Sequence, residues 1–533
     1  MNSSPSFSVV VNTTDRAGPL SILLSALERQ NYENFEVVVV VGPTQDDTLR
    51  VLDRYQERVR VLRCSEANLS KSRNLGLLAA RGDVVAYIDD DAVPCRNWLA
   101  QLAELFLTIP NLAATGGSVY SVHPQHAVLQ HRIGLVSSIG EQTDVRDSPL
   151  DEVVPCGAGN RWISRMMGAN MAFRRADLLQ IGGFDEFYVF IAEETDTSMR
   201  LSASGRLVRP VKEAVVYHIP ASSRNREAFS YKGRWWLQTR SGVYFAIKNG
   251  KAAGDDGRVI ARRCLELLHG HWMWYGRLAR ESKISVKDAW EMRIREVGAF
   301  MAGGMAGLFQ KRQLVDSQDA VVSPRGDVLK YSPHEEFNTV AVDPVSGRSS
   351  ALIPKKEALR ICLLSGNYPP EQHDGVGRHT NLMAKGLFEL GHDVHVVARG
   401  EKESVVYYDG AYVHRIRHQT ERYQRYAGYS STYNALNYSH NVHDEIKRLI
   451  LNDGIQVVDS ALWQFEALVT SVSGLLPVVV RLQTTYRQIS ELQRDVDNDA
   501  RLMGELEAAL LLRADHLVPN TRATLDNVRA LYG

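Results

Sequence analysis

Seven residues, Phe35-Glu-Val-Val-Val-Val-Val41, limit what this 533-residue chain can fold into more than any other stretch. Consecutive β-branched side chains favour a strand, and a strand without polar alternation has to be covered on both faces. Other short apolar runs, Phe7 to Val11, Val59 to Leu62 and Asp83 to Ile88, alternate with helical spacing at Leu20 to Leu27 and from about Ser70 to Ala80. This alternation predicts an α/β unit with a mostly parallel sheet. Ligands in such sheets sit beyond the carboxyl ends of the strands.

At one of those ends stand three carboxylates, Asp89, Asp90 and Asp91. Adjacent carboxylates at the end of a buried strand repel one another and resist desolvation. A divalent cation carrying a polyanion makes the arrangement favourable, because hard cations such as Mg²⁺ take carboxylate and phosphate oxygens. An acidic turn or helix cap is the plainer alternative. Three further clusters bear on the choice. Glu193-Glu194-Thr195-Asp196 opens a helix, either as dipole partners or as a general base within reach of a hydroxyl. His218 ends the apolar run Ala214 to Tyr217 and either fills a surface position or completes a metal shell begun by Asp91. Lys71-Ser-Arg-Asn-Leu-Gly76 begins a helix, either solvated or gripping phosphate through cations and amides. His123, His126, His131, His269 and His271 lack acidic or thiol partners at ligand spacing and read as structural.

The length calls for three or four compact units. The expected divisions are a sheet unit over 1–257, a helical extension over 258–313, a linker over 314–357 and a second unit over 358–533. The polar stretch Glu141 to Asp151 reads as a loop, and Pro324, Pro333, Pro344 and Pro354 mark the linker. In the second unit a strand from Leu359 to Leu364, a loop from Asn367 to Gly377, a helix to Leu390 and a strand at Val394 to Val397 form a Rossmann-like β-loop-α-β. Trp272 to Tyr275 and Phe300-Met301 put apolar mass among basic residues in the helical extension. Packing accounts for it, as does an interfacial surface.

Lys plus Arg and Asp plus Glu are 62 each, so nothing in the overall charge indicates a nucleic-acid binder. Cys64, Cys95, Cys156, Cys264 and Cys362 form no CxxC pair and read as free thiols of a reducing compartment. The N-terminus lacks a basic n-region, and no apolar run is long enough to span a bilayer. The expectation is a cytoplasmic protein with peripheral contact at the inner face of a membrane.

The motifs FSVVVNTTDR, LSKSRNLG, GDVVAYIDDDAVP, GANMAFRR, GGFDEFY, EETDTSMRL and AVVYH occur in the order found in family-2 glycosyltransferases of GT-A fold, which residues 6 to 250 resemble. The resemblance implies a nucleotide-sugar donor, Mg²⁺ or Mn²⁺, inversion at the anomeric carbon, and a glycan or lipid-linked acceptor. It places the metal on Asp89, Asp91 and His218, and the catalytic base at Glu194 with Glu193 before it. It places the donor near Thr13, Thr14, Asp15, Val41, Lys71, Arg73, Asn74, Asp89 and Asp90, and the acceptor side near Gly168, Asn170 and Asp196. Two departures stand out. Val41-Gly-Pro-Thr44 replaces the family's DDGS, leaving uridine preference open, and the base is Glu where the family has Asp. Residues 359 to 533, through LRICLLSGNYPPEQHDGVGRHT and AKGLFELGHDVHVVAR, resemble the N-terminal half of family-4 glycosyltransferases of GT-B fold. Gln483 stands where many members have His, and the acidic donor-site motif of the missing half is absent. The second unit is therefore not expected to turn over a donor alone, and the chain is expected to be a piece of a longer bifunctional enzyme. A nucleotidyltransferase making nucleotide sugars and a non-catalytic glycan-binding scaffold remain the rival readings.

Overall fold

The computed structural model describes residues 4–55, 58–122, 127–131, 134–144, 162–164, 166–211, 213–222, 234–316, 343, 348–351, 353–354, 356–371, 374–401, 403–417, 423, 428–488 and 497–532. Most of the expected linker, Cys156, His123, His126 and much of the Glu141 to Asp151 stretch lie outside the described residues. Two compact units emerge, one of residues 1–119 and 130–333, the other of 120–129 and 334–533.

In the first unit the elements run β1 (Phe7–Thr13), α1 (Ala17–Leu27), β2 (Phe35–Val41), β3 (Val59–Arg63), α2 (Leu69–Ala79), β4 (Val84–Asp89), β5 (Ala92–Pro94), β6 (Leu112–Thr115), β7 (Asn170–Arg174), α3 (Glu193–Ala203), β8 (Leu207–Val208) and β9 (Val216–His218). The main sheet has the order β8-β6-β7-β4-β1-β2-β3. β1 pairs in parallel with both β2 and β4, and β2 with β3. β7 is the exception, antiparallel to β4 and β6. The apolar run of β2 is buried along its whole length. Each fully buried valine there contributes about 1.5–3 kcal/mol relative to exposure. Because β1 and β4 run the same way, Thr13 and Asp89 emerge at one edge, with Asn12 opposite Asp89 in register.

Beyond Asp91 the chain turns back as β5, which pairs antiparallel with β9 so that His218 lies opposite Ala92. That register brings a residue far along the sequence beside the aspartates.

Helices α4 (Trp236–Ala252), α5 (Gly257–Arg280) and α6 (Val286–Phe309) follow. The expected helical stretch is thus two helices broken at Ser282, which has φ 56°, and α4 was not read from the sequence. Tyr275 is buried and donates to Glu296 at 2.8 Å, so part of the Trp272 to Tyr275 run is core. Within α5 and α6 the exposed large apolar residues belong largely to α6.

The second unit contains β10 (Arg360–Leu364), α7 (Gly375–Glu389), β11 (Asp393–Arg399), β12 (Ser404–Tyr408), β13 (Ala411–Ile416), α8 (Ser430–Asp453), β14 (Val457–Ala461), β15 (Val478–Leu482) and β16 (His516–Pro519). Its sheet order is β12-β13-β11-β10-β14-β15-β16, parallel except for the β12–β13 hairpin. This is the doubly wound pattern expected of a Rossmann-like unit.

Candidate active site

The carboxyl ends of β1 and β4 open into a cavity of about 160 Å³. Thr13, Thr14, Arg16, Gly42, Ser72 and Asp89 are among its lining residues. Asp89, Asp91 and His218 each offer one ligand atom, and the three atoms lie within 4.8 Å of one another. Two carboxylates and an imidazole make a donor set suited to Mg²⁺ or Mn²⁺, so the residues fit the expected ion.

These groups are held by side chains of opposite charge. His218 Nε2 lies 3.0 Å from Asp91 Oδ1, and the Ala221 amide donates to Asp91 Oδ2 at 2.9 Å. Arg16 reaches Asp90 at 2.6 Å and Asp91 at 3.0 Å, and donates to the carbonyls of Ala221 and Ser222. Burial acts to raise the Asp91 pKa, but His218 and Arg16 outweigh it and hold the carboxyl well below the usual range. For Asp90 burial wins over Arg16 and pushes the pKa up to about 7. The triplet is therefore unequal. Arg16 holds Asp90 and shares Asp91 with His218, while Asp89, with a third of its side chain exposed, is the most open of the three.

Arg73 links this edge to the acidic pair. Its guanidinium donates to Glu193 at 2.6 Å and to the Gly168 carbonyl at 3.4 Å, and lies 3.8 Å from Asp89. A Cβ on Gly168 would stand 2.7 Å from Arg73 Nη2, so only glycine permits this approach. Glu193 is thereby pinned, with its second oxygen buried and unbonded among the described residues. Glu194, the next residue, lines a second cavity of about 820 Å³ with Trp162, Met166, Gln238, Phe245 and Arg263. Burial, then the Glu193 charge, push Glu194 up to about 7, against the pull of Arg73. The two residues before the pair, Ile191 and Ala192, have φ 74° and 75°. The left-handed region is costly for a β-branched side chain, and such strain clusters at functional sites.

The expected residues fall into two groups. Thr13, Thr14, Arg73, Asp89, Asp90, Asp91, His218, Gly168, Glu193 and Glu194 come together around the two cavities. The rest are put to other uses. Val41 is core, and its neighbour Gly42 lines the cavity instead. Asp15 turns away and accepts from the Gln45 amide at 2.6 Å and the Thr44 hydroxyl at 3.0 Å. Lys71 pairs with Glu66. Asn74 exchanges hydrogen bonds with the Phe184 amide and carbonyl at 2.8 Å each. Asn170 donates to the Ala214 carbonyl at 2.7 Å and accepts from Trp98 at 2.9 Å. Asp196 is fully buried against Arg200, Arg312, Asn249 and Tyr188. For Asn74, Asn170 and Asp196 burial explains the pattern, because a polar group inside the protein has to be saturated by its neighbours. Asp15 is exposed and Lys71 partly exposed, so their partners are surface contacts. Arg16 escaped the sequence reading. Its signal was a lone cation directly after the first strand, at the same sheet edge as three carboxylates.

Known families match both units. The family described as Glycosyl transferase family 2 matches residues 8–169, Glycosyl transferase family 21 matches 152–247, and Glycosyltransferase Family 4 matches 373–533. A glucosyl-dolichyl phosphate glucuronosyltransferase of Haloferax volcanii is 27% identical over 245 residues, 44% of this chain and 73% of that protein. The chondroitin synthase of Escherichia coli is 25% identical over 253 residues, 43% of this chain and 36% of that protein, so the chain spans about a third of it. The O-antigen chain rhamnosyltransferase WbaN of Salmonella anatum is 25% identical and covers 51% and 84%. Among solved structures, S. aureus TarS 1–349 in complex with UDP-GlcNAc is 17% identical with a TM-score of 0.39, covering 56% of this chain and 81% of that one, too slight a likeness to argue from. The chain belongs among the glycosyltransferases, with a family-2 domain followed by a family-4 domain.

Proposed function

We propose that the first unit transfers a sugar, with inversion, from a nucleotide-sugar donor to a hydroxyl of a glycan or lipid-linked acceptor. The observation that carries the reading is the arrangement around Arg73. One guanidinium lies between Asp89, at the smaller cavity, and Glu193, whose neighbour Glu194 lines the larger one. The smaller cavity takes the nucleotide against Thr13, Thr14 and Gly42. Asp89, Asp91 and His218 would hold Mg²⁺ or Mn²⁺, and Arg16 would yield or share Asp91. When bound, the cation supplies positive charge against the departing diphosphate. Glu194 accepts the proton of the acceptor hydroxyl as the new bond to carbon forms. A carboxyl with a pKa near 7 is better matched to that task than an ordinary glutamate. Arg73 pairs with Glu193 at 2.6 Å, and the Glu193 charge in turn makes Glu194 more basic. The acceptor enters through the larger cavity, whose aromatic and methionine walls suit the faces of sugar rings. Contact with a membrane would give access to a lipid-linked acceptor.

A screen of nucleotide sugars by thermal shift, with and without Mn²⁺, tests the donor half. A ligand that binds only the native state raises its stability with saturation. The expected result is a shift that requires both nucleotide and Mn²⁺ and disappears in Asp91→Asn. A shift indifferent to the ion, or unchanged in that variant, would overturn the metal assignment.

A further inference from the structure

Helix α6 turns one side inward and leaves the other bare. Ala299, Gly303, Ala306 and Gly307 are buried, with Gly303 against the Arg240 backbone and Gly307 against Ile247. On the opposite side Trp290, Ile294, Val297, Met301, Met305 and Leu308 are each 44–69% exposed, and Phe309 at the helix end is 82% exposed. Their spacings of three and four keep them on one face. Between them Gly298 and Gly304 meet no atom within 4 Å where a Cβ would stand. From Val297 to Phe309 there is no charged residue. A bare apolar face that runs from Trp290 to Phe309, about 30 Å of helix, exceeds the scattered exposure of a monomer surface.

The net charge of the α5 and α6 pair favours one occupant. Over residues 257–312 eight Lys and Arg are exposed against four exposed Asp and Glu, in a chain whose formal net charge is zero. Two of these cations are paired, Arg262 with Glu266 and Lys283 with Glu281, and the remainder leave the helical pair net basic. A second copy docked through the same face would bring two net-basic helical pairs together. An anionic lipid surface attracts such a pair, and basic residues with Trp, Met and Phe on a helix face fit the boundary between headgroups and acyl chains. Among the described residues no helix is long and apolar enough to cross a membrane, so the helix would lie along the surface. We propose that the exposed face of α6 docks the protein on an anionic lipid bilayer. The assignment gives a location to the membrane contact proposed above, and it stands or falls separately from the transfer chemistry.

Flotation of the full chain with vesicles tests it. Vesicles of phosphatidylcholine mixed with phosphatidylglycerol should carry the protein, and vesicles of phosphatidylcholine alone should carry far less. Ile294→Glu combined with Met301→Glu places two carboxylates on the face at positions that are already exposed. Binding to the mixed vesicles should fall at least about tenfold. Melting temperature and Mn²⁺-dependent nucleotide binding should stay as in the parent, which separates this outcome from misfolding and from failure of the active-site reading. The proposal is overturned if the parent chain ignores anionic vesicles or if the double variant floats as well as the parent. It is also overturned if the parent is a dimer that the double variant splits while neither binds lipid.

Discussion

Glu194 carries the sharpest expectations at the scale of single residues. A general base works only when ionised, and burial beside Glu193 moves this carboxyl up to about 7. Turnover with saturating donor should therefore rise with pH and level off above about 7, instead of being flat through the neutral range as an ordinary glutamate would leave it. Glu194→Gln should lower turnover by about 10²–10⁴-fold with the melting temperature preserved. A variant that transfers sugar at near-parental rates would remove Glu194 from the mechanism. The contrast with Asp196, two residues on, is instructive. Both are acidic and both stand in the same helical turn, yet Asp196 is saturated by Arg200, Arg312 and Asn249 while Glu194 faces a cavity. Nothing in the string EETD separates their fates.

At the scale of elements, the site depends on how α2 and the segment before α3 are held. Asn68 caps α2 by accepting from the Lys71 amide at 3.1 Å and donates to the Glu186 carbonyl at 2.8 Å. Asn68→Ala should cost about 1 kcal/mol for the cap, read by denaturant melts of the full chain. Arg73 rides on this helix, so Gly168→Ala is the more telling change. The new Cβ would displace the Arg73 guanidinium, which is buried and pinned to Glu193. Turnover should fall while stability changes little, because the atom that has to move is the far end of a side chain. Equal turnover would mean that Arg73 has no part in positioning the acidic pair. The alternation of strands and helices in this region was readable because burial on both faces leaves a plain mark on composition. β7 was not read as antiparallel, since strand direction depends on the connection and leaves no such mark. The left-handed turn at Ile191 and Ala192 was likewise invisible, because those residue types ordinarily avoid it.

At the scale of the whole molecule, Arg312 binds the chain after α6 into the first unit. It pairs with Asp185 at 3.4 Å and with Asp196, and donates to Asn249 at 3.0 Å. Burial acts to raise the Asp196 pKa, but Arg200 and Arg312 outweigh it and leave the pKa lowered. A carboxyl whose folded pKa lies below its unfolded one stabilises the fold above the unfolded value, about 4, and this contribution is lost as pH falls through the folded value. Arg312→Gln should cost about 3–5 kcal/mol at neutral pH, since it leaves buried carboxylates without a cation. It should also flatten the loss of stability on acidification below about pH 4, measured by melts from neutral pH down to about pH 2. The sequence alone determined the two α/β units, the acidic strand end and the order of motifs, because apolar runs, helix spacing and adjacent charges are local properties of the chain. Tertiary structure decided which acids face a cavity, that His218 meets Asp91 across the β5–β9 pair, and that Arg16 and Arg73 divide the carboxylates between them. Those outcomes depend on contacts between residues 74 to 127 positions apart, and no local pattern records which distant partner a buried charge will find.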